Sequence, residues 1–301
     1  MQTTAELLLA AREAGLAIPA FNVPYLPMVE PVVRAVADHD SFALIATARL
    51  EWLKFESRGL AAVRDEFARC AAPAHVRLHL DHVPAIDEDG LPVDYMPIFH
   101  EAIALGYPSL MVDGSRLPLE ANIEATRRVV ALAHAAGVAC EAELGAVLGH
   151  EAGPLPDYEE LYRSGLGFTD VVEATRFVRE TGCDWLSVAV GNVHGAIAAG
   201  LKDRQKVQAR LNLEHLQKLA RSTGVPLVLH GGTGIRQDNL LAAVQMGVAK
   251  INIATEIRQA YEQALAAPGR VSAAQEAVYR RTAWLIRDYL GLSGSLARIA
   301  G

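Results

Sequence analysis

The sequence has little cysteine. Cys70, Cys140 and Cys183 are its three thiols, an odd number in no CxxC spacing. That argues against a disulfide framework or a zinc ribbon and fits small buried side chains in a reducing compartment. Long basic runs are also missing, and the formal charge is −7. With no basic run to neutralise a phosphate backbone, a nucleic-acid partner is not expected. An anionic substrate remains compatible, because local N–H groups and a metal ion bind phosphate inside acidic proteins. No apolar run is long enough to span a bilayer, so no membrane partner is expected. The N-terminus has no basic, apolar and cleavage-site succession. Its Thr3 and Thr4 followed by Glu6 and Leu7–Leu9 read as a capped helix. Together these absences give the expectation of a soluble cytoplasmic protein. No linker or low-complexity segment divides the chain, so residues 1–301 are read as one domain.

What is present is alternation. Eight short apolar runs recur: 17–21, 42–46, 76–80, 109–112, 138–143, 185–190, 226–230 and 249–253. Helical patterns lie between them. One of these patterns ends on Gly137; another has Thr169 as its expected N-cap and Gly182 as its stop. Eight strand–helix units in an undivided chain, about half of it hydrophobic, predict an α/β protein with a (β/α)8 TIM barrel. An open doubly wound sheet is the competing fold. It would usually place a GxGxxG turn after the first strand, where this chain has "NVPY".

Barrel chemistry sits at the C-terminal ends of the strands. Read in order, those ends carry Asn22, Thr47 with Arg49, Asp81–His82, Asp113, Glu141 and Glu143, His194, His230 and Asn252. Three histidines at equivalent ends, His82, His194 and His230, suit a catalytic zinc with an open coordination position. A lone histidine would more often be a satisfied core or rim residue. His79 is out of phase with His82 and is expected to face differently. A divalent cation here would polarise a carbonyl and stabilise an enediolate. Proton transfer then needs separate groups; Asp81 is the first candidate and Glu151, in the loop after strand five, the second. Asp113 and Glu143 are acids that could hold a cation, orient ligands or bind a helix N-terminus.

The segment "LVLHGGTGI" (228–236) places Gly231, Gly232 and Thr233 directly behind His230. Glycine lets the backbone approach a ligand closely, and "NIAT" (252–255) would close the other side of an anion site. A plain turn would explain the glycines but not the histidine and threonine beside them.

Taken together, "HLDH" (79–82), "GYPSLMVDGSRLPLEANI" (106–123), "CEAELGAVLG" (140–149), "GNVHG" (191–195), "LVLHGGTGI" and "KINIATE" (250–256) resemble the class II, metal-dependent fructose-bisphosphate and tagatose-bisphosphate aldolases. The resemblance implies a barrel that is a homodimer or homotetramer. Its implied reaction is reversible aldol cleavage of a ketose phosphate to dihydroxyacetone phosphate and an aldehyde such as glyceraldehyde 3-phosphate. His82, His194 and His230 resemble the zinc ligands, with another divalent cation as the alternative. Glu143 and Asp113 resemble acids near an alternative metal position, where a second metal or a monovalent cation fits. Asp81 resembles the residue exchanging a proton with the aldehyde-derived oxygen, and Glu151 the loop acid acting at the dihydroxyacetone carbon. Gly195, Gly231, Thr233, Asn252 and Thr255 resemble the phosphate site, and Asn22 a substrate-contacting asparagine.

The chain departs from the family in several places. Ile197 and Ala198 replace a common tyrosine and lysine, and the 196–212 loop is longer. Lys202 or Lys206 could supply the missing charge. Arg116 stands where histidine is common, and "ATARLEW" (46–52) differs from the usual loop after strand two. Arg49 and Arg116 are therefore candidates for the aldehyde end of the substrate, whose identity these changes leave open. A Schiff-base aldolase and a non-catalytic sugar-phosphate-binding barrel are the competing readings.

Overall fold

The computed structural model describes residues 2–70, 72–145, 158–192, 209–266 and 270–300. Eight parallel strands close into a barrel in chain order. They are β1 (Ile18–Asn22), β2 (Ala43–Ala48), β3 (Val76–Pro84), β4 (Ser109–Asp113), β5 (Ala139–Leu144), β6 (Trp185–Val188), β7 (Leu227–Leu229) and β8 (Val248–Ile253). The described helices are α1 (Thr4–Glu13), α2 (Val29–Asp38), α3 (Arg49–Lys54), α4 (Leu60–Cys70), α5 (Met96–Ala104), α6 (Leu119–Ala135), α7 (Tyr158–Ser164), α8 (Val171–Thr181), α9 (Leu213–Thr223), α10 (Gln237–Val244), α11 (Thr255–Ala266), α12 (Val271–Trp284) and α13 (Leu296–Ile299). Strands buried on both faces explain the near-continuous apolar runs in the sequence. No described helix is long and apolar enough to cross a membrane.

Local chemistry sets the helix ends. Thr3 and Glu6 form a reciprocal capping box at α1. The expected N-cap at Thr169 is corrected to Asp170, whose carboxylate accepts from the N–H groups of Val172 and Glu173. Thr169 is fully buried and spans two strand ends instead. Its hydroxyl donates to the Leu144 carbonyl and accepts from the Ala189 N–H. Burial between strands gave the hydroxyl better partners than the helix end offered. Gly182 stops α8 in the left-handed region, as expected.

The expected end of the third strand is also corrected. β3 continues to Pro84, and its pairing with β4 shifts register between Leu80 and Val83. His82 sits in that irregularity at φ +21°. A bulge adds a residue and breaks the alternation of side chains. Asp81 and His82, although consecutive, therefore both serve the same end of the barrel. His79 shares the face of Asp81, two residues on, and lies beneath it rather than apart.

Candidate active site

The barrel interior carries polar side chains in two tiers. Residues two apart on one strand point the same way, so a polar pair at i and i+2 marks an inward face. Three such pairs occur: His79 and Asp81, Glu141 and Glu143, Lys250 and Asn252. All six side chains are buried.

The lower tier centres on Lys250, which is fully buried. Its ammonium lies 2.7 Å from Glu141 Oε2 and donates to Asn252 Oδ1 at 2.6 Å. Trp185 Nε1 donates to the same Glu141 oxygen at 2.5 Å. His79 Nδ1 bonds the Ser109 hydroxyl at 2.9 Å, and its Nε2 lies 3.5 Å from Glu141. Burial, then the Lys250 charge, pushes the His79 pKa down to about 3, so this imidazole is neutral. Burial alone would raise the Glu141 carboxyl, but Lys250 and the hydrogen bond with His230 bring it down to about 2.

The upper tier is built around two imidazoles. His82 Nε2 lies 2.6 Å from His230 Nδ1. Each ring turns its other nitrogen to a carboxylate. His82 Nδ1 meets Asp113 Oδ2 at 3.1 Å, and His230 Nε2 meets Glu141 Oε1 at 3.1 Å. This is the carboxylate–histidine arrangement that fixes ring orientation and tautomer at metal sites. Asp113 is itself held by the N–H and hydroxyl of Ser115. Glu143 lies 3.7 Å from His82, and its Oε2 is buried with no hydrogen-bond partner. Burial, then the nearby Asp113, drives its carboxyl well above the ordinary range. Burial opposes a charge on His82, yet Asp81, Asp113 and Glu143 outweigh it and raise the ring to about 10. Asp81 with His82 and His230, and His82 with Asp113 and Glu143, are compact enough to hold a cation. An orphaned buried carboxylate oxygen beside carboxylate-backed imidazoles is a donor set that fits a divalent metal.

Asp81 is clamped from both sides. Asn22, the last residue of β1, donates to its Oδ2 at 2.9 Å, and Asn252 donates to its Oδ1 at 2.8 Å. Burial would raise this carboxyl, but His82, Lys250 and His230 keep it well below the ordinary carboxylate range. It is therefore ionised and fixed in orientation.

Behind β7 the chain makes one 3₁₀ turn, Gly232–Gly234, entered through Gly231 at φ +71°. A Cβ at Gly232 would lie 2.3 Å from Ile251 and 3.1 Å from the Asn252 carbonyl, so only glycine packs this close to β8. Thr233 lies in that turn, and Thr255 opens the twelve-residue α11. A helix N-terminus of that length favours an anion. Asn252, expected on the phosphate side, has its amide engaged by Asp81 and Lys250.

Two expected aldehyde-side residues lie on the rim. Arg49 opens α3, 3.9 Å from Asp87, and Arg116 is exposed between β4 and α6. His194, Gly195, Glu151 and most of the 196–212 loop lie outside the described residues. The expectations for them rest on the sequence alone.

Three further buried polar residues, Glu141, Lys250 and Glu51, had been given no site role from the sequence. Glu141 and Lys250 could have been found from the i, i+2 polar pairs. Glu51 had only a structural signature, as the third residue of its helix, three after the cap residue Ala48. Its carboxyl accepts from the Ala48 N–H at 2.9 Å. Burial, with Asp81 nearby, pushes it up to about 8.

Known proteins resemble the chain along almost its whole length. The sequence profile of the family described as "Fructose-bisphosphate aldolase class-II" matches residues 2–290. Fructose-bisphosphate aldolase of Streptococcus pneumoniae is 35% identical over 276 residues, covering 90% of this chain and 84% of that protein. A probable fructose-bisphosphate aldolase of Bacillus subtilis is 32% identical, over 83% of this chain and 80% of that protein. Among solved structures, the YdjI aldolase of Escherichia coli K12 superposes with a TM-score of 0.76 at 28% identity, covering 98% of this chain and 100% of that one.

Proposed function

On the premise that the chain belongs to the class II fructose-bisphosphate aldolase family, whose members are metal-dependent lyases, we propose that it cleaves fructose 1,6-bisphosphate reversibly. The products are dihydroxyacetone phosphate and glyceraldehyde 3-phosphate. The observation that carries the reading is the pair of imidazole nitrogens 2.6 Å apart, each ring backed by a carboxylate.

His82 and His230, with His194, would hold zinc, and Glu143 and Asp113 would serve a displaced position of the ion or a second cation. When bound, the metal supplies a Lewis acid for the ketose carbonyl and its enediolate. The remaining work falls to the chain. Asp81, ionised and held by Asn22 and Asn252, takes the proton from the hydroxyl on C4. The bond between C3 and C4 then breaks, leaving the aldehyde and the enediolate of dihydroxyacetone phosphate. Glu151 returns a proton to C3. Gly195, Gly231, Thr233, Thr255 and the main chain of Asn252 bind the phosphate beside C1, where N–H groups and a helix N-terminus favour an anion. Asn22 also contacts substrate, and Arg49 and Arg116 face its distal anion. The Schiff-base alternative loses support, because the Lys250 ammonium is buried and engaged by Glu141 and Asn252. Residues 1–301 act as a single barrel domain, in a cytoplasmic homodimer or homotetramer.

The test is release of dihydroxyacetone phosphate from a panel containing fructose and tagatose 1,6-bisphosphates and ketose 1-phosphates. Each is assayed native, chelator-treated and zinc-restored. Chelator-sensitive, zinc-restored cleavage of fructose 1,6-bisphosphate is the expected result. Preference for another member renames the substrate, and cleavage indifferent to chelation sinks the metal site.

A further inference from the structure

One fully buried charge in the barrel has no part in the chemistry so far. Lys250 lies beneath the reacting groups, with no exposed surface. A lysine almost never takes such a position without paired partners. Its two close partners lead to different halves of the site. Through Asn252 Oδ1, at 2.6 Å, it decides which way that amide faces. An amide whose oxygen is held by an ammonium must turn its nitrogen the other way, and Asn252 Nδ2 then donates to Asp81 Oδ1 at 2.8 Å. Through Glu141 Oε2, at 2.7 Å, it anchors a carboxylate whose other oxygen sits 3.1 Å from His230 Nε2. That contact leaves His230 Nδ1 to face His82.

We propose that Lys250 is a positioning residue that sets two things at once: the orientation of the proton-transferring Asp81 through Asn252, and the ligating tautomer of His230 through Glu141. The proposal rests on the metal-dependent aldolase reading. A purely structural lysine would hold β8 to β5 and leave both groups as they are.

The experiment separates the two arms with one variant for each and one for the hub. Zinc affinity is measured by competition with a chromophoric chelator, and kcat and KM for fructose 1,6-bisphosphate at saturating zinc. Glu141→Gln should weaken zinc about tenfold. Asn252→Ala should lower kcat at least tenfold with zinc affinity within threefold. Lys250→Met should do both, with KM within threefold because the glycine turn is untouched. Cobalt substitution should show altered visible bands in Glu141→Gln and Lys250→Met and wild-type bands in Asn252→Ala. A folded Lys250→Met with either zinc affinity or kcat within threefold of wild type would overturn the proposal. Should the unpaired Glu141 keep that variant from folding, Lys250→Met/Glu141→Gln removes both charges. It should then show at least tenfold lower kcat than Glu141→Gln alone, and equal kcat would overturn the proposal. A wild-type protein that neither binds zinc nor cleaves the substrate would instead overturn the aldolase reading on which the proposal stands.

Discussion

The two tiers of the barrel interior differ in burial and in charge balance: the lower is sealed, while His82 and Asp113 of the upper stay partly open to solvent. In the lower tier, Glu141 is paired with Lys250 at 2.7 Å, and His79 is held neutral. Its positive and negative charges cancel within the protein. In the upper tier, Asp81, Asp113 and Glu143 crowd around His82 and His230. There the acids outnumber any charge the imidazoles carry, and one carboxylate oxygen makes no hydrogen bond. Burying an uncompensated charge is costly. A tier that balances itself is scaffold, and a tier with surplus acid is built for a cation from outside. Glu141 belongs to the first by charge and touches the second through His230.

The largest expected effect tests the upper tier directly. His82→Ala should remove stoichiometric zinc and take cleavage below detection; full zinc retention, measured by elemental analysis, would place the ligands elsewhere. Asp81→Ala comes next and should lower kcat about 10²–10⁴-fold, the range for losing a general base, with zinc content unchanged. Zinc lost in parallel would make Asp81 a ligand. The contrast between tiers is sharpest in chelator-treated protein followed by urea unfolding. Glu141→Gln strands Lys250 and should cost about 3–5 kcal/mol. Glu143→Gln, replacing a carboxyl already driven upward by burial, should cost clearly less, because it strands no buried ammonium. Equal costs would erase the distinction.

Acid should expose the lower tier. The Glu141 carboxyl is depressed to about 2 in the folded protein. Its stabilisation is complete above the ordinary value of 4.5 and is lost as pH falls towards 2. Urea midpoints at pH 5 and pH 2.5 should therefore converge in Glu141→Gln relative to wild type. The smallest effect lies outside both tiers. Asp170→Ala removes the α8 cap and should cost about 1 kcal/mol, with kcat unchanged.

Much of this was legible along the chain. The eight runs match the eight strands within a few residues, because a strand buried on both faces must be apolar and is bounded by turn residues. His82, His230, Asp81, Asp113, Glu143, Asn22 and Asn252 were legible as strand-end residues, and the structure gathers their side chains at one end of the barrel. The bulge in β3 was not legible, since nothing in "HLDHVP" announces an extra residue. His79 was therefore expected to face differently from His82, whereas it shares the barrel interior with Asp81 and Glu141. Thr169 failed as a cap because its competing partners lie on β5 and just beyond β6, distant in sequence. Glu51 was hidden because its spacing also serves a helix start.

By itself the sequence determined the barrel, the family and the residue types at the strand ends, because periodicity and strand boundaries are local properties. Only the tertiary structure decided which polar residues became a balanced scaffold and which a cation site. That depends on which charges closure of the barrel brings within a few ångströms, such as Lys250 of β8 and Glu141 of β5. Electrostatic energy in a dry interior follows distance through space, and distance along the chain carries no record of it.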